Sequence, residues 1–313
     1  APWTLCLLSL AAPLVALGAP PLDLEVHEWG LVRFGDAHAC VASSGRPPMT
    51  GLFGEGLGPA NLGASGGKPV LYFHPGPKFD ARTELTVTAS LKGGTLREVW
   101  PTPGLGAQPK LGESFTWKLK VLPGKATGTT AAPKETDAPC KGLEAPCESA
   151  ELPLYLNPVS DGLQVTGVRK PVPVLLYNGT LPIAESPLRP DGAGAVRNTG
   201  DVTFGRTWVR LPDGRFKALE AAPPGVTKYD ASKGPLLTLS GLQVQLREAM
   251  VSQGLTLEEA DAFVKAWTPD VLSVSGTWHV LTFYPPQVID ALAPLAITPA
   301  PAKVARVMAL VSP

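Results

Sequence analysis

His27 and Glu28 are adjacent in the run 24–34, and an imidazole beside a carboxylate is a pairing that general acid–base chemistry uses often. The run alternates as a strand does, so adjacent side chains should point to opposite faces. Glu28 falls with Leu24, Val26, Val32 and Phe34, whereas His27 falls with Glu25, Trp29 and Arg33. A carboxylate on an apolar face is costly to bury alone. It must pair with a cation, accept from backbone amides, take a proton, or swing outward at a bulge near Gly30. The plainer reading of Glu28 is a satisfied polar group in the core. The sharper one is a catalytic or ligand-binding carboxylate acting with His27. An arginine is the expected partner, because a guanidinium can satisfy both carboxylate oxygens through parallel bonds, and Arg97, Arg206 and Arg210 lie on or beside expected strands.

His27, His38 and Cys40 are close in sequence and offer imidazole and thiolate to zinc or copper. Their spacing matches no metal motif. Only His74 and His279 complete the chain's 4 histidines, so a metal site would have to recruit distant residues; ordinary surface or core positions are the plainer reading. Nucleophilic motifs are weak: the G-x-S-x-G at Gly63–Gly67 lies in a glycine-rich run without the strand-turn-helix setting of a nucleophile elbow, and Leu31 stands where H-E-x-x-H would need its second histidine. The glycine-rich stretch 51–67 runs into Lys68 and Pro69 rather than into the Lys-Ser/Thr ending of a phosphate loop. No cofactor is indicated. Trp29, Trp100, Trp117, Trp208, Trp267 and Trp278 would stack on a carbohydrate if exposed, but apolar periodicity places most of them in the core.

The elements that must position these residues read as mainly β. With 35 prolines, 33 glycines and only 17% charged residues, the composition suits many short strands separated by turns. Leu85, Val87, Ala89 and Leu91 alternate with polar residues, and Phe115, Trp117, Leu119 and Val121 do the same. Further strands are expected within 69–100, 162–168, 172–177, 202–219, 277–284 and 304–311. Helical signal is confined to 240–268. There Ser240 with Gln243 and Thr256 with Glu259 have capping-box spacing, Gly254 can close the first helix, and Pro269 should stop the second. The architecture expected is a sandwich-like arrangement of antiparallel sheets with a small αα-hairpin near the C-terminus. It divides into an N-terminal β region 20–121, an irregular loop 122–151 and a C-terminal β region 152–313, and 20–313 can form a single domain.

Residues 1–19 are uncharged, rich in leucine and end in small residues, the pattern of a secretory signal peptide cleaved after Gly18 or Ala19. Such leaders ordinarily open with methionine and a basic segment, so the precursor is expected to extend beyond Ala1. Export would put Cys40, Cys140 and Cys147 in an oxidising compartment. A local Cys140–Cys147 bridge is the simplest pairing. A long-range bridge from Cys40, or buried free thiols, are the alternatives. No transmembrane span is expected in the mature chain. Lysine plus arginine and aspartate plus glutamate balance at 27 each, which leaves no global positive field for nucleic acid.

Several phrases taken together, VHEWG at 26–30, KPVLYFHP at 68–75, LREVWP at 96–101, VLLYNG at 174–179 and the C-terminal stretches 255–267 and 280–311, resemble an uncharacterised family of secreted bacterial proteins that carry HEWG just after the signal peptide. The resemblance implies export and architecture; it carries no activity. This chain departs from the family pattern in following HEWG with Leu31, Val32 and Arg33 rather than a threonine-rich stretch. It also has His74 where a tyrosine is usual, so the resemblance implies no role for His74. Two functions fit these observations. One is a noncatalytic secreted or periplasmic binding or surface-associated protein with a protein or carbohydrate ligand. The other is a hydrolase or metal-dependent enzyme using Glu28 and a histidine.

Overall fold

The computed structural model describes residues 20–34, 39–42, 69–102, 111–125, 161–169, 171–183, 185–192, 194–273 and 278–313. The fold is mainly β and is organised around β1 (Leu22–Phe34), which is buried along nearly its whole length. β1 carries apolar residues on both faces because each face is covered by a different layer. Leu24, Val26, Val32 and Phe34 pack into one core, as their alternation requires. Trp29 and Leu31 pack into another on the opposite side.

β1 lies inside a nine-stranded sheet. On one side it pairs in parallel with β16 (Pro301–Ser312). On the other, its first half pairs antiparallel with β3 (Val70–Pro75) and its second half with β2 (Ala39–Ala42). β8 (Leu175–Leu181) joins β2 and β3 and also pairs with β5 (Thr95–Trp100). Beyond β16 follow β14 (Val280–Phe283), β11 (Thr207–Arg210) and β12 (Phe216–Leu219). Strands from before and after the stretch 122–151 therefore share one sheet; the loop expected from residue 122 starts later, because strand pairing continues through Lys125, and 126–151 lie outside the described residues. Among the described strands, β1 and β16 pair in parallel and the other pairings are antiparallel.

A four-stranded sheet covers the face that bears Glu28. It contains β4 (Glu84–Ser90), β6 (Ser114–Lys125), β7 (Asp161–Val165) and β15 (Leu295–Thr298). Leu85, Val87, Ala89, Trp117, Leu119 and Val121 supply its inner surface. This is the sandwich expected from the alternating strands. A separate small sheet is formed by β9 (Leu188–Pro190), β10 (Ala195–Asn198) and β13 (Gly225–Lys228), and its Leu188 and Val196 join the same core.

The opposite face is covered by α1 (Leu239–Ser252) and α2 (Leu257–Trp267). Leu242, Leu246 and Met250 of α1, and Ala260, Phe263, Val264 and Trp267 of α2, turn inward at helical spacing. Fully burying a side chain such as Phe263 or Leu246 contributes about 1.5–3 kcal/mol. Two local expectations need correction. α1 is capped by Thr238, whose side chain accepts from the Gly241 N–H, and not by Ser240 with Gln243. Pro269 does not end the helical path either. It enters a π-helical turn, Thr268–Leu272, where a proline in the first turn loses no intrahelical bond. The Thr256–Glu259 capping box is present, and Gly254 takes φ +100° in the turn between the helices. A short α3 (Pro286–Leu292) follows β14. No described helix is long and apolar enough to cross a membrane.

Candidate metal centre

The antiparallel register of β1 on β3 sets Glu25 opposite His74 and His27 opposite Tyr72. His27 and His74 are therefore diagonal neighbours on the helix-facing side, with ring centroids 4.6 Å apart. The N-terminus of α2 meets these rings and presents Glu259 to them. Glu259 occupies the third position of the capping box, so its carboxylate must turn back toward the start of the helix. There its Oε2 accepts from the Thr256 N–H at 2.7 Å and from His27 Nδ1 at 2.8 Å. Its Oε1 accepts from His74 Nε2 at 2.9 Å.

The Glu259 side chain is 0% exposed and that of His27 5%, while that of His74 remains 25% exposed and forms the open side of the cluster. Burial alone would raise the Glu259 pKa. Hydrogen bonds from His27 and His74, with the nearby His27 charge and the Thr256 amide, outweigh it and bring the pKa from 4.5 to about 2. The first turn of a helix also favours a negative group. An ionised carboxylate only accepts, so each ring nitrogen facing Glu259 carries a hydrogen in this arrangement.

Two imidazoles and a carboxylate are a donor set for zinc and other divalent first-row ions. One ligand atom from each of His27, His74 and Glu259 lies within 4.8 Å of the others. A tetrahedral zinc ion with bonds of about 2.0–2.1 Å would hold its ligand atoms about 3.3–3.4 Å apart. The N···O contact of 2.8 or 2.9 Å made by whichever Glu259 oxygen ligates must open by about half an ångström, and the widest separation, within 4.8 Å, must close by at most about 1.4 Å. An entering ion would replace the hydrogens that now bridge the three groups.

Two more carboxylates stand around this centre. Glu25, half-exposed, lies 3.4 Å from His27 Nε2 through its Oε2, which also accepts from Lys303 Nζ at 3.0 Å. The Lys303 bond holds the Glu25 carboxyl below its ordinary range; slight burial opposes this and His27 adds to it. Asp161 at the head of β7 accepts from the Gly124 N–H at 2.7 Å and is within electrostatic reach of His74. Burial raises its pKa, while the Gly124 amide and His74 pull it down.

Glu28 belongs to a separate network on the other face. Its Oε1 accepts from the Tyr177 hydroxyl at 2.6 Å and its Oε2 from Arg306 Nε at 2.6 Å. Arg306 also donates to Asp290 at 2.9 Å and to the Ala293 carbonyl at 2.7 Å. Burial disfavours the Arg306 charge, but Glu28 outweighs it and holds the guanidinium firmly protonated. Burial, then the Glu28 charge, push the Tyr177 hydroxyl well above its ordinary pKa. The expected arginine partner exists, but it is Arg306 and not Arg97, Arg206 or Arg210. It binds one carboxylate oxygen while tyrosine takes the other, so the two parallel guanidinium bonds do not form. Arg206 instead meets Glu220 at 3.3 Å, Arg210 lies over Phe216 and Trp278, and Arg97 is exposed.

His27 and Glu28 are thus directed to opposite sides of the sheet and do not act on one substrate atom as a pair. His27 does join a ligand cluster, but with His74 and Glu259. His38, Cys140 and Cys147 lie outside the described residues, and Cys40 is placed only as a backbone position of β2 opposite Arg33 and Thr180. Of the tryptophans considered for sugar stacking, Trp29, Trp117, Trp208, Trp267 and Trp278 are buried and Trp100 is half-buried. Glu259 was visible in sequence as a cap. Its encounter with two histidines 185 and 232 residues away carried no local signal. No protein-family model matches the chain, and no curated protein or solved structure matches it either.

Proposed function

We propose that this chain is an exported, β-rich protein that binds a divalent transition-metal ion through His27, His74 and Glu259. The observation that carries this reading is the meeting of two imidazoles and one carboxylate, from β1, β3 and α2, within 4.8 Å. Export is supported by the apolar run 1–19 and by the resemblance of the HEWG segment to secreted bacterial proteins. Binding is favoured over acid–base catalysis at Glu28 because that carboxylate is fully buried and both oxygens are engaged by Tyr177 and Arg306. A metal-dependent hydrolase is the second reading. Three protein ligands with His74 on an open side would leave a coordination position for water, as in catalytic zinc sites.

Calorimetric titration of the purified protein with Zn²⁺ tests the proposal. One ion should bind per chain, and His74→Ala should weaken binding by more than about tenfold, since losing a ligand costs at least as much as losing a group that only orients one. Absence of binding, or equal binding by His74→Ala, would overturn it. Turnover of activated esters or phosphate esters by the zinc-loaded protein, lost with His74→Ala, would favour the hydrolase reading.

A further inference from the structure

We infer that Glu25 is a positioning residue for this metal centre: it accepts the Nε2 hydrogen of His27 and so directs the Nδ1 lone pair toward the ion. The inference rests on the reading of His27, His74 and Glu259 as the ligands. His27 turns Nδ1 toward Glu259 at 2.8 Å and Nε2 toward Glu25 at 3.4 Å, so its two nitrogens serve different partners. A neutral imidazole carries one hydrogen. Without metal, Nδ1 carries a hydrogen toward Glu259; when an ion takes that place, the neutral ring keeps its one hydrogen on Nε2, where Glu25 accepts it and leaves the Nδ1 lone pair to the ion. A carboxylate behind a ligating histidine also fixes the ring and strengthens it as a donor to the metal.

The placement of Glu25 is itself structured. The pairing of β1 with β16 shifts register between Leu22 and Glu25, and the shift sets Glu25 opposite Lys303. Lys303 Nζ then holds the Glu25 carboxylate at 3.0 Å. The turn between α1 and α2 lies against Lys303: a Cβ on Gly254 would lie 3.4 Å from Lys303 Cε and Nζ. Glu25 is thus anchored from β16 at the rim of the site, where it can reach the outer nitrogen of His27 without belonging to the inner set. Its charge together with that of Glu259 would balance a divalent ion, leaving Lys303 as the outer counter-charge.

Titration with Co²⁺ and with Zn²⁺, comparing wild type with Glu25→Gln, Glu25→Asp and Lys303→Met, tests this role. Glu25→Gln should weaken binding about 10–100-fold, the range for loss of a carboxylate behind a ligating histidine. One ion per chain should still bind, the visible Co²⁺ bands should shift at unchanged four-coordinate intensity, and the metal-free melting temperature should stay at the wild-type value. Glu25→Asp should recover part of the affinity, and Lys303→Met should weaken it several-fold. Affinity and spectrum unchanged in Glu25→Gln, with wild type binding, would overturn this inference alone. Collapse of the four-coordinate spectrum would make Glu25 a direct ligand and overturn the positioning role. Failure of wild type to bind either ion would overturn both this inference and the reading on which it rests.

Discussion

Glu28 and Arg306 stand opposite each other in the parallel pairing of β1 with β16, and Arg306 Nε donates to Glu28 Oε2 at 2.6 Å with both side chains withdrawn from solvent. The contact joins positions 278 residues apart and ties the first described strand to the last. Removing one member leaves the other charge buried, which is the costly way to disturb such a pair. Arg306→Met should destabilise the fold by about 3–5 kcal/mol in chemical denaturation. Glu28→Gln, which keeps the shape and one acceptor, should cost about 1–3 kcal/mol. Metal affinity should be unaffected by Glu28→Gln, because the sheet separates the two networks. A change below about 0.5 kcal/mol for Arg306→Met, the level of ordinary surface substitutions, would contradict a structural role.

Acid should act through Glu259. Its carboxyl has a pKa of about 2 in the fold against 4.5 ordinarily, so the folded state favours the ionised form. The stability this contributes is fully present above about pH 4.5 and is lost as pH falls toward 2. Unfolding free energies measured across that window should decline in wild type and decline less in Glu259→Gln, which retains a side chain able to cap the helix. Parallel profiles for the two proteins would contradict the assignment.

The alternation of 24–34 was enough to place Glu28 among apolar residues, and the spacing of Thr256 and Glu259 was enough to place a cap at the start of α2. Both rest on local periodicity, which a chain carries in its own order. The partner of Glu28 was not legible, because Arg306 reaches it only when the final strand aligns in parallel with the first. Arg306 lies in a run that reads as an apolar strand, so nothing nearby marks it. The same holds for the metal centre. His27 and Glu259 each draw notice in sequence for other reasons, but nothing links either to the other or to His74; what makes the three a set is the β1–β3 register together with the seating of α2 on that sheet face. The expected trio of His27, His38 and Cys40 drew on sequence proximity, and of these only His27 has a described side chain.

The exported form should lack residues 1–19, since an uncharged leucine-rich run ending in small residues is what leader processing removes. N-terminal sequencing of protein recovered outside the cytoplasm should begin at or just after Ala19. Recovery of the run 1–19 intact on that protein would refute export by cleavage.

An ion held by residues from β1, β3 and α2 would fasten the helical hairpin to the sheet, and its binding energy would add to the stability of the fold. At a free Zn²⁺ concentration about 100 times the dissociation constant, the gain should be about 2.7 kcal/mol. Thermal melts should therefore rise with Zn²⁺ in wild type and stay flat in His74→Ala. An equal rise in both proteins would place the stabilising ion elsewhere.

The most direct test of the metal centre is anomalous diffraction at the zinc edge from crystals of the protein grown with Zn²⁺. The account predicts one strong anomalous peak per chain, about 2.0–2.2 Å from His27 Nδ1, His74 Nε2 and a Glu259 carboxylate oxygen. Density showing the three side chains still bonded directly to one another, with no peak between them, would contradict it.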